Sequence, residues 1–260
     1  MTTINRRDLV KMIGGAGAGV AATLAVRPGT ARAAATPPAP NPQVLPWPYK
    51  PLDPEAIAQR ATDSYYKAEC MYGSFEAIVG ATAEQLGAPY KDFPFLMMKY
   101  GGGGINGWGT ICGALSGAAA AFQLLSPKPD GLIDAIFVWY ESTALPDFLP
   151  KGAKFPEIRS VSGTPLCHTS ISKWCAAAQK TTYSPERRER CGAIAGAVAR
   201  KAVLLLNEQA AAKPITTALP AVAQNCMSCH ERGGALENSR GKMNCGGCHS
   251  PMLGKHPAGV

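Results

Sequence analysis

The same five-residue pattern occurs twice within the last 35 residues, and it constrains the fold more than any other feature of the chain. Residues 226–230 read C-M-S-C-H and residues 245–249 read C-G-G-C-H. Two cysteines three apart lie on one face of a helical turn, so both thiols can form thioethers with the vinyl groups of one porphyrin. The histidine that follows then lies beneath the ring, where it can ligate the iron. The chain is therefore predicted to carry two covalent haem c groups.

The predicted haem residues are of two kinds. Thioether bonds are expected at Cys226, Cys229, Cys245 and Cys248, and proximal iron ligation at His230 and His249. A zinc site is the alternative, because two C-x-x-C pairs 19 residues apart can also bind zinc in a tetrahedral site. The histidine directly after each pair favours haem.

Two of the four histidines, His168 and His256, remain for the distal sides of the haems. A low-spin haem needs a second axial ligand, for which His and Met are the usual choices. We predict that His168 and His256 are these ligands. His256 lies only seven residues after His249, so it is expected to reach the other haem or a haem of a partner subunit. The alternatives are ordinary surface histidines, or a methionine ligand that would raise the potential. The candidate methionines are Met227, Met243 and Met252.

The N-terminus has the pattern of an export signal. Residues 5–11 read N-R-R-D-L-V-K, a twin-arginine pattern, and an A-x-A-like sequence follows at 31–33. We predict that residues 1–33 are a twin-arginine signal peptide and that the mature protein is periplasmic, with no stable membrane insertion. An uncleaved anchor is the alternative. Because the twin-arginine route exports folded proteins, often with a cofactor bound, it also points to a second cofactor loaded before export.

The net charge of +8 does not indicate nucleic-acid binding. Residues 1–33 contribute +4 of it, since they hold five Lys or Arg and one Asp. The sequence contains no basic run with interleaved aromatic residues.

Helical patterns cover most of the chain before the haem motifs. A Pro-rich leader at residues 34–52, held to the surface by Trp47 and Tyr49, is followed by a predicted helix from Pro54 to about Leu86. Further helices are predicted at 93–99, at 110–125 with Thr110 as cap, from 129 to before 146, and from 185 onward. We therefore predict an all-α protein. It comprises a compact helical domain at residues 53–212 and a linker with a C-terminal, loop-rich dihaem segment at residues 213–260.

Five cysteines lie outside the haem motifs: Cys70, Cys112, Cys167, Cys175 and Cys191. An odd number cannot pair completely into disulfides within one chain. Thiolates can hold an iron–sulfur centre. Disulfides with one thiol left over, or a catalytic dithiol, are the alternatives. We expect Cys167, Cys175 and Cys191 to converge at the start of the last long helix, with Cys112, or less favourably Cys70, as the fourth ligand.

A known sequence pattern covers the helical region. Residues 112–117 read C-G-A-L-S-G, and residues 100–103 read Y-G-G-G. They resemble the CGAxxG motif and the Gly-rich lead-in of a small helical family of putative redox-active proteins with four characteristic cysteines. The resemblance covers roughly residues 55–210, and Cys70, Cys167 and Cys191 lie where that family's other cysteines are expected. Cys175 is a fifth cysteine and departs from the pattern.

The two haem motifs behind this domain resemble the split-Soret cytochromes c, which are periplasmic dihaem proteins of sulfate-reducing bacteria and their relatives. That resemblance implies a homodimer with its haems grouped at one end and bis-histidine ligation, in which one ligand can come from the partner subunit. It also implies an iron–sulfur centre, of the [2Fe–2S] type. It leaves open which four of the five cysteines bind that centre.

The predicted function is electron transfer between other redox proteins. Bis-histidine haems leave no open iron position for a substrate, so we expect an electron carrier rather than an enzyme. The alternative is a reductase that acts on a small molecule at an open haem or at a redox-active cysteine site.

Overall fold

The computed structural model describes residues 41–253, with side chains described through residue 249. The predicted signal peptide, residues 34–40 of the leader and the candidate ligand His256 lie outside this range, as does the side chain of Met252. The α-helices are α1 (Pro54–Leu86), α2 (Gly113–Leu125), α3 (Pro129–Ser142), α4 (Cys167–Ala178), α5 (Pro185–Ala210), α6 (Ala221–His230) and α7 (Gly246–Leu253). Short 3-10 helices at Tyr90–Asp92, Phe95–Gly101 and Ile105–Gly107 connect α1 to α2.

The all-α class is confirmed. The described residues form only one antiparallel strand pair, β1 (Ala144–Leu145) and β2 (Ser160–Val161), between α3 and α4.

The longest helix, α1, begins and ends where the sequence predicts, and α5 begins where predicted. The Asp53 carboxylate accepts a hydrogen bond from the N–H of Glu55 (2.9 Å), which satisfies a donor left open by the first turn of α1. Gly87, with a φ of 79°, ends that helix. At the start of α5 the Ser184 hydroxyl accepts a hydrogen bond from the N–H of Arg187 (3.2 Å).

The predicted start of α2 is wrong. The helix begins at Gly113, and Thr110 does not cap it. The residues before it are extended because they pair with the segment that leads into α4. The Thr110 carbonyl accepts the N–H of Cys167 (2.7 Å), and Ile111 forms an antiparallel bridge with Leu166.

The core lies where α1 packs along α5, with α2 against both. Small residues allow the close approach, since a Cβ atom at Gly196 of α5 would lie 2.8 Å from the Ala58 carbonyl of α1. Larger side chains of α2 and α3 are buried around this contact: Leu115, Phe122, Leu132 and Ile136. Each stabilises the fold by about 1.5–3 kcal/mol. The core therefore fixes α1 and α5, which carry two of the spare cysteines.

The described part of the Pro-rich leader is held to the helical body as predicted. Trp47 is buried, and its backbone N–H donates to the Leu124 carbonyl (2.7 Å). The Tyr49 hydroxyl donates to the Asn207 side-chain oxygen (2.7 Å).

The C-terminal segment contains more helix than predicted. The first haem motif ends α6, and the second begins one residue before α7. Contacts with α3 hold the segment to the body, since Lys242 Nζ lies 2.7 Å from the Asp134 carboxylate. Within residues 41–253, no helix has both the length and the apolar character needed to span a membrane.

A kink interrupts α1 in its middle. Ala68 (φ −155°, ψ 37°) and Glu69 (φ 72°, ψ −173°) leave the helical conformation. The Glu69 conformation is close to one that only glycine adopts freely, and such strained residues cost about 1–3 kcal/mol. Cys70 follows directly, so the kink determines where this cysteine lies relative to the helix axis.

Glu69→Gly is expected to raise the melting temperature, because glycine avoids this strain at a cost of only about 1 kcal/mol in conformational entropy. The control is Lys67→Gly, at an exposed helical position two residues earlier, which should lower stability by about 1 kcal/mol. Thermal unfolding followed by circular dichroism compares them. Equal destabilisation by the two changes would contradict the strain at Glu69.

Candidate functional site

Four of the five spare cysteines meet in one buried region, which we call the four-thiol site. They come from four parts of the fold: Cys70 of α1, Cys112 at the cap of α2, Cys167 at the start of α4 and Cys191 of α5. Each is at most 7% exposed, and none is in a disulfide. Electrostatic interactions link the thiol of Cys70 to those of the other three.

Backbone pairing places two of these cysteines side by side. The N–H of Cys112 donates to the Pro165 carbonyl (2.9 Å), and the N–H of Cys167 donates to the Thr110 carbonyl (2.7 Å). These bonds close the antiparallel bridge between the segments that precede α2 and α4. Two residues 55 positions apart in sequence thereby become neighbours.

Glycines of the C-G-A-L-S-G motif bring Cys112 to Cys70. A Cβ atom on Gly113 would lie 2.0 Å from the Gly101 carbonyl oxygen and 3.2 Å from the Cys70 Cβ. A Cβ atom on Gly117 would lie 2.2 Å from Ser74 Oγ. A side chain at Gly113 would therefore force α2 away from the 3-10 helix that ends at Gly101, and one at Gly117 would force α2 away from α1.

Cys175 does not join the four-thiol site, so the expected convergence of Cys175 with Cys167 and Cys191 is wrong. Eight residues along α4 separate it from Cys167, which is about 12 Å of helix. It is half-buried, and its Sγ lies 3.9 Å from Thr182 Oγ1. Cys70, the less favoured candidate, occupies the place expected for Cys175.

Three thiols of the site, those of Cys70, Cys112 and Cys167, have raised pKa values, which favours their neutral form. Burial, followed by the neighbouring thiols, raises the pKa of Cys70 well above its usual value. The same causes raise the pKa of Cys167 to about 12. Burial also raises the pKa of Cys112, although its side-chain interaction with Tyr140 opposes the shift. Loading of a metal must therefore displace thiol protons.

Two arginines and a tyrosine border the site, and the sequence patterns did not single them out. Arg190 is 6% exposed, and it interacts electrostatically with Cys191, Tyr140 and Cys112. Nη1 of Arg187 lies 4.0 Å from the Cys191 sulfur. The signal that could have revealed Arg190 is its place directly before Cys191.

The four thiols do not form a ready-made site for a single ion. Among the described residues, no three His, Cys, Asp or Glu side chains lie close enough together to hold one metal ion.

The two haem motifs are adjacent in space. The Cys245 thiol interacts with that of Cys226, and burial followed by this neighbour raises the pKa of Cys245. His230 Nδ1 lies 2.7 Å from the Asn238 side-chain oxygen. Histidines that ligate a metal through one ring nitrogen are commonly oriented by a hydrogen bond at the other ring nitrogen.

An apolar cavity of about 350 Å³ separates α3 from the C-terminal segment. Its apolar wall consists of Ile111, Ile133, Phe137, Val138, Pro165, Leu166, Leu219 and Met243. Asp134, Glu141 and Lys242 add charged groups, and burial raises the pKa of the Glu141 carboxyl. An apolar space beside a C-x-x-C-H segment suits the face of a porphyrin. Met243 is the candidate methionine that lines it.

His168 is exposed at the N-terminus of α4 and directly follows Cys167. Its backbone N–H donates to the carbonyl of Gly109 (3.1 Å), a residue with a φ of 69°. The haem segment lies against the residues that precede α4, since a Cβ atom on Gly247 would be 3.2 Å from Thr164 Cγ2. The start of α4 therefore carries Cys167 of the four-thiol site and follows a segment that contacts the haem segment.

Residues 72–205 match the family model described as putative redox-active protein (C_GCAxxG_C_C). That pattern has glycine before the central cysteine, whereas this chain has Cys112 before Gly113, so the expected motif order was wrong. The split-Soret cytochrome c of Desulfovibrio desulfuricans is 41% identical over 216 residues, covering 78% of this chain and 77% of the relative. The chain is also similar to a solved structure that describes a novel iron centre in the split-Soret cytochrome c of that species, with a TM-score of 0.75 at 38% identity. The match covers 82% of this chain and 94% of that chain.

Gly113→Ala is expected to destabilise the protein by about 1–3 kcal/mol, because the added methyl group overlaps the Gly101 carbonyl and displaces Cys112 from Cys70. Gly131→Ala on α3 is the control, since nothing lies within 4 Å of its added Cβ. It should be neutral or stabilising by about 0.4–1 kcal/mol. Melting temperature and iron content per haem are measured together. Normal iron content in a stable Gly113→Ala protein would contradict the role of Gly113 in holding Cys112 next to Cys70.

Proposed function

This chain belongs to the family of the split-Soret cytochromes c, and from that membership we propose that it transfers electrons through two covalent haems and an iron–sulfur centre. It would pass electrons between other redox proteins of the periplasm. The observation that carries the proposal is the four-thiol site, because it supplies buried sulfur ligands in a chain that already has two haem attachment motifs.

The haems would be held at the two C-terminal motifs. Cys226 and Cys229 would bind one porphyrin, with His230 as proximal ligand, and the second motif would do the same through Cys245, Cys248 and His249. The contact between Cys226 and Cys245 supports two haems close together. Closely spaced haems exchange electrons readily, as a relay requires.

The iron–sulfur centre would be held by Cys70, Cys112, Cys167 and Cys191. Two features support an anionic, multi-iron group here. Four buried thiols lie in one region, and the buried Arg190 guanidinium has an Nε without a hydrogen-bond acceptor. When bound, the group would supply a one-electron redox step, and we propose the [2Fe–2S] type. Burial of all four thiols favours electron transfer over chemistry on a small molecule.

A covalent connection between the two kinds of centre also supports a relay. Cys167 would ligate the iron–sulfur centre, and His168, the next residue, would ligate a haem on its distal side. An electron could then pass along one stretch of backbone between adjacent ligands. The chain's own contribution is the bridge at Ile111 and Leu166, which fixes both residues at the start of α4.

We further propose export by the twin-arginine route and assembly into a homodimer. Large apolar side chains are exposed in the segment between α1 and α2, whose Gly109 contacts His168: Leu96, Met97, Tyr100, Ile105 and Trp108, the last 82% exposed. An exposed apolar patch is typical of an interface between subunits. A second copy that covers this surface would lie beside His168, where it could complete the ligation of a haem, with His256 as the other distal ligand.

Cys70→Ser is expected to remove iron and acid-labile sulfide while both haems remain, because Cys70 is one of the four buried ligands. Cys175→Ser is the matched control and should keep both at the wild-type ratio to haem. Anaerobic purification, pyridine haemochrome and iron and sulfide assays give the ratios. Loss of iron from Cys175→Ser, with retention in Cys70→Ser, would contradict this ligand set.

His168→Ala is expected to convert one haem from low to high spin, because an axial position is opened. The neighbouring Thr169→Ala serves as the control and should leave the spectrum unchanged. Electron paramagnetic resonance of the oxidised proteins distinguishes the spin states. A wholly low-spin spectrum in His168→Ala would show that this histidine is not an iron ligand.

A further inference from the structure

Arg190 is a buried cation without a carboxylate. Its side chain is 6% exposed, and it lies on α5 directly before Cys191. Among the described residues, no Asp or Glu oxygen lies within 4.0 Å of its guanidinium. The surface arginines differ from it, since Arg60 pairs with Glu76 (2.6 Å) and Glu84 (2.7 Å).

Its hydrogen bonds satisfy only part of the guanidinium. Nη2 donates to Ser170 Oγ (2.8 Å) and to the Ser170 carbonyl (3.4 Å). The Nε–H has no acceptor. The Tyr140 hydroxyl donates to the same Ser170 Oγ (2.8 Å), so the neutral groups nearby are already engaged with one another.

A buried charge that lacks a counter-charge destabilises a fold by several kcal/mol. An arginine guanidinium is not deprotonated in proteins, and that of Arg190 lies beside the side chains of Cys191, Tyr140 and Cys112. The guanidinium thus stays charged, and the groups that can balance it are the sulfurs of the four-thiol site. Neutral thiols cannot balance the positive charge of Arg190, whereas thiolates bound to iron can.

We infer that Arg190 is the counter-charge of the four-thiol site, and that it raises the reduction potential of the iron–sulfur centre held there. This inference rests on the proposed function. Four thiolates give such a centre a net negative charge, and reduction adds one more electron. A fixed positive charge in a dry site favours the reduced form, since charges interact strongly where water is excluded.

The neighbouring Arg187 does not serve the same purpose. Its Nη1 lies 4.0 Å from the Cys191 sulfur, but its Nε donates to the Thr182 carbonyl, and the residue is partly exposed. Water screens its charge in part. Arg190 therefore makes the larger contribution.

A purely structural role for Arg190 would act through Ser170, whose two bonds join α5 to α4. The two roles separate by mutation. Arg190→Lys keeps the charge but loses the planar fork that reaches Ser170. Ser170→Ala removes the acceptor hydroxyl but leaves the guanidinium in place.

The test compares Arg190→Met, Arg190→Lys and Ser170→Ala with the wild type and with Arg188→Met, an exposed control two residues away that lies over the Tyr66 ring. Anaerobic protein is titrated with dithionite, which gives one electron to a ferric iron of the centre. Electron paramagnetic resonance follows the reduced centre. Haem, iron and sulfide contents are measured in the same samples.

Arg190→Met is expected to shift the one-electron equilibrium at least tenfold toward the oxidised form, about 59 mV lower in potential, or to lose the iron–sulfur centre while both haems remain. Arg190→Lys and Ser170→Ala should stay within about threefold of wild type. An Arg190→Met potential that matches Arg188→Met overturns the inference. Equal loss of the iron–sulfur centre in Arg190→Lys and Ser170→Ala also overturns the inference. This second comparison tests the inference even if Arg190→Met does not fold. A wild type without iron beyond its haem overturns the proposed function itself.

Discussion

The bridge between the segments before α2 and α4 is the interaction on which the rest of the site depends. Two backbone hydrogen bonds, from Cys112 to Pro165 and from Cys167 to Thr110, join parts of the chain far apart in sequence. They bring Cys112 to Cys167 and leave His168 on the exposed side. Close packing of α2 on α1, through Gly113, adds Cys70. A loop that merely ran nearby could not hold these sulfurs in a fixed arrangement.

Burial then determines what the site can hold. Neutral thiols are favoured while the site lacks a metal, since the pKa values of Cys70 and Cys167 are raised. Arg190 opposes that tendency by placing a positive charge against the same sulfurs. The two effects together favour the anionic, thiolate-bound group that we propose for this site. They also explain why a buried cation is tolerated in a small helical domain.

The sequence predicted the helical class, the ends of α1 and the haem motifs, because each depends on residues close together in the chain. Asp53 and Gly87 act within one turn, and C-x-x-C-H is a local pattern. The choice between Cys70 and Cys175 was wrong because it depends on contacts between distant segments. Proximity in sequence favoured Cys175, yet the helix that joins it to Cys167 separates the two. The charge on Arg190 was overlooked for a related reason, since only the contact of Arg190 on α5 with Ser170 on α4 reveals that no carboxylate of the described residues reaches it.

The most direct test of the central claim is an anaerobic reductive titration that counts the electrons each chain accepts. The chain is purified after export, and its haem content is measured in the same sample. Electron transfer through the haems and the four-thiol site predicts one electron per chain beyond the number of haems, with a signal from a reduced iron–sulfur centre. An electron count equal to the haem count, with no such signal, would contradict it.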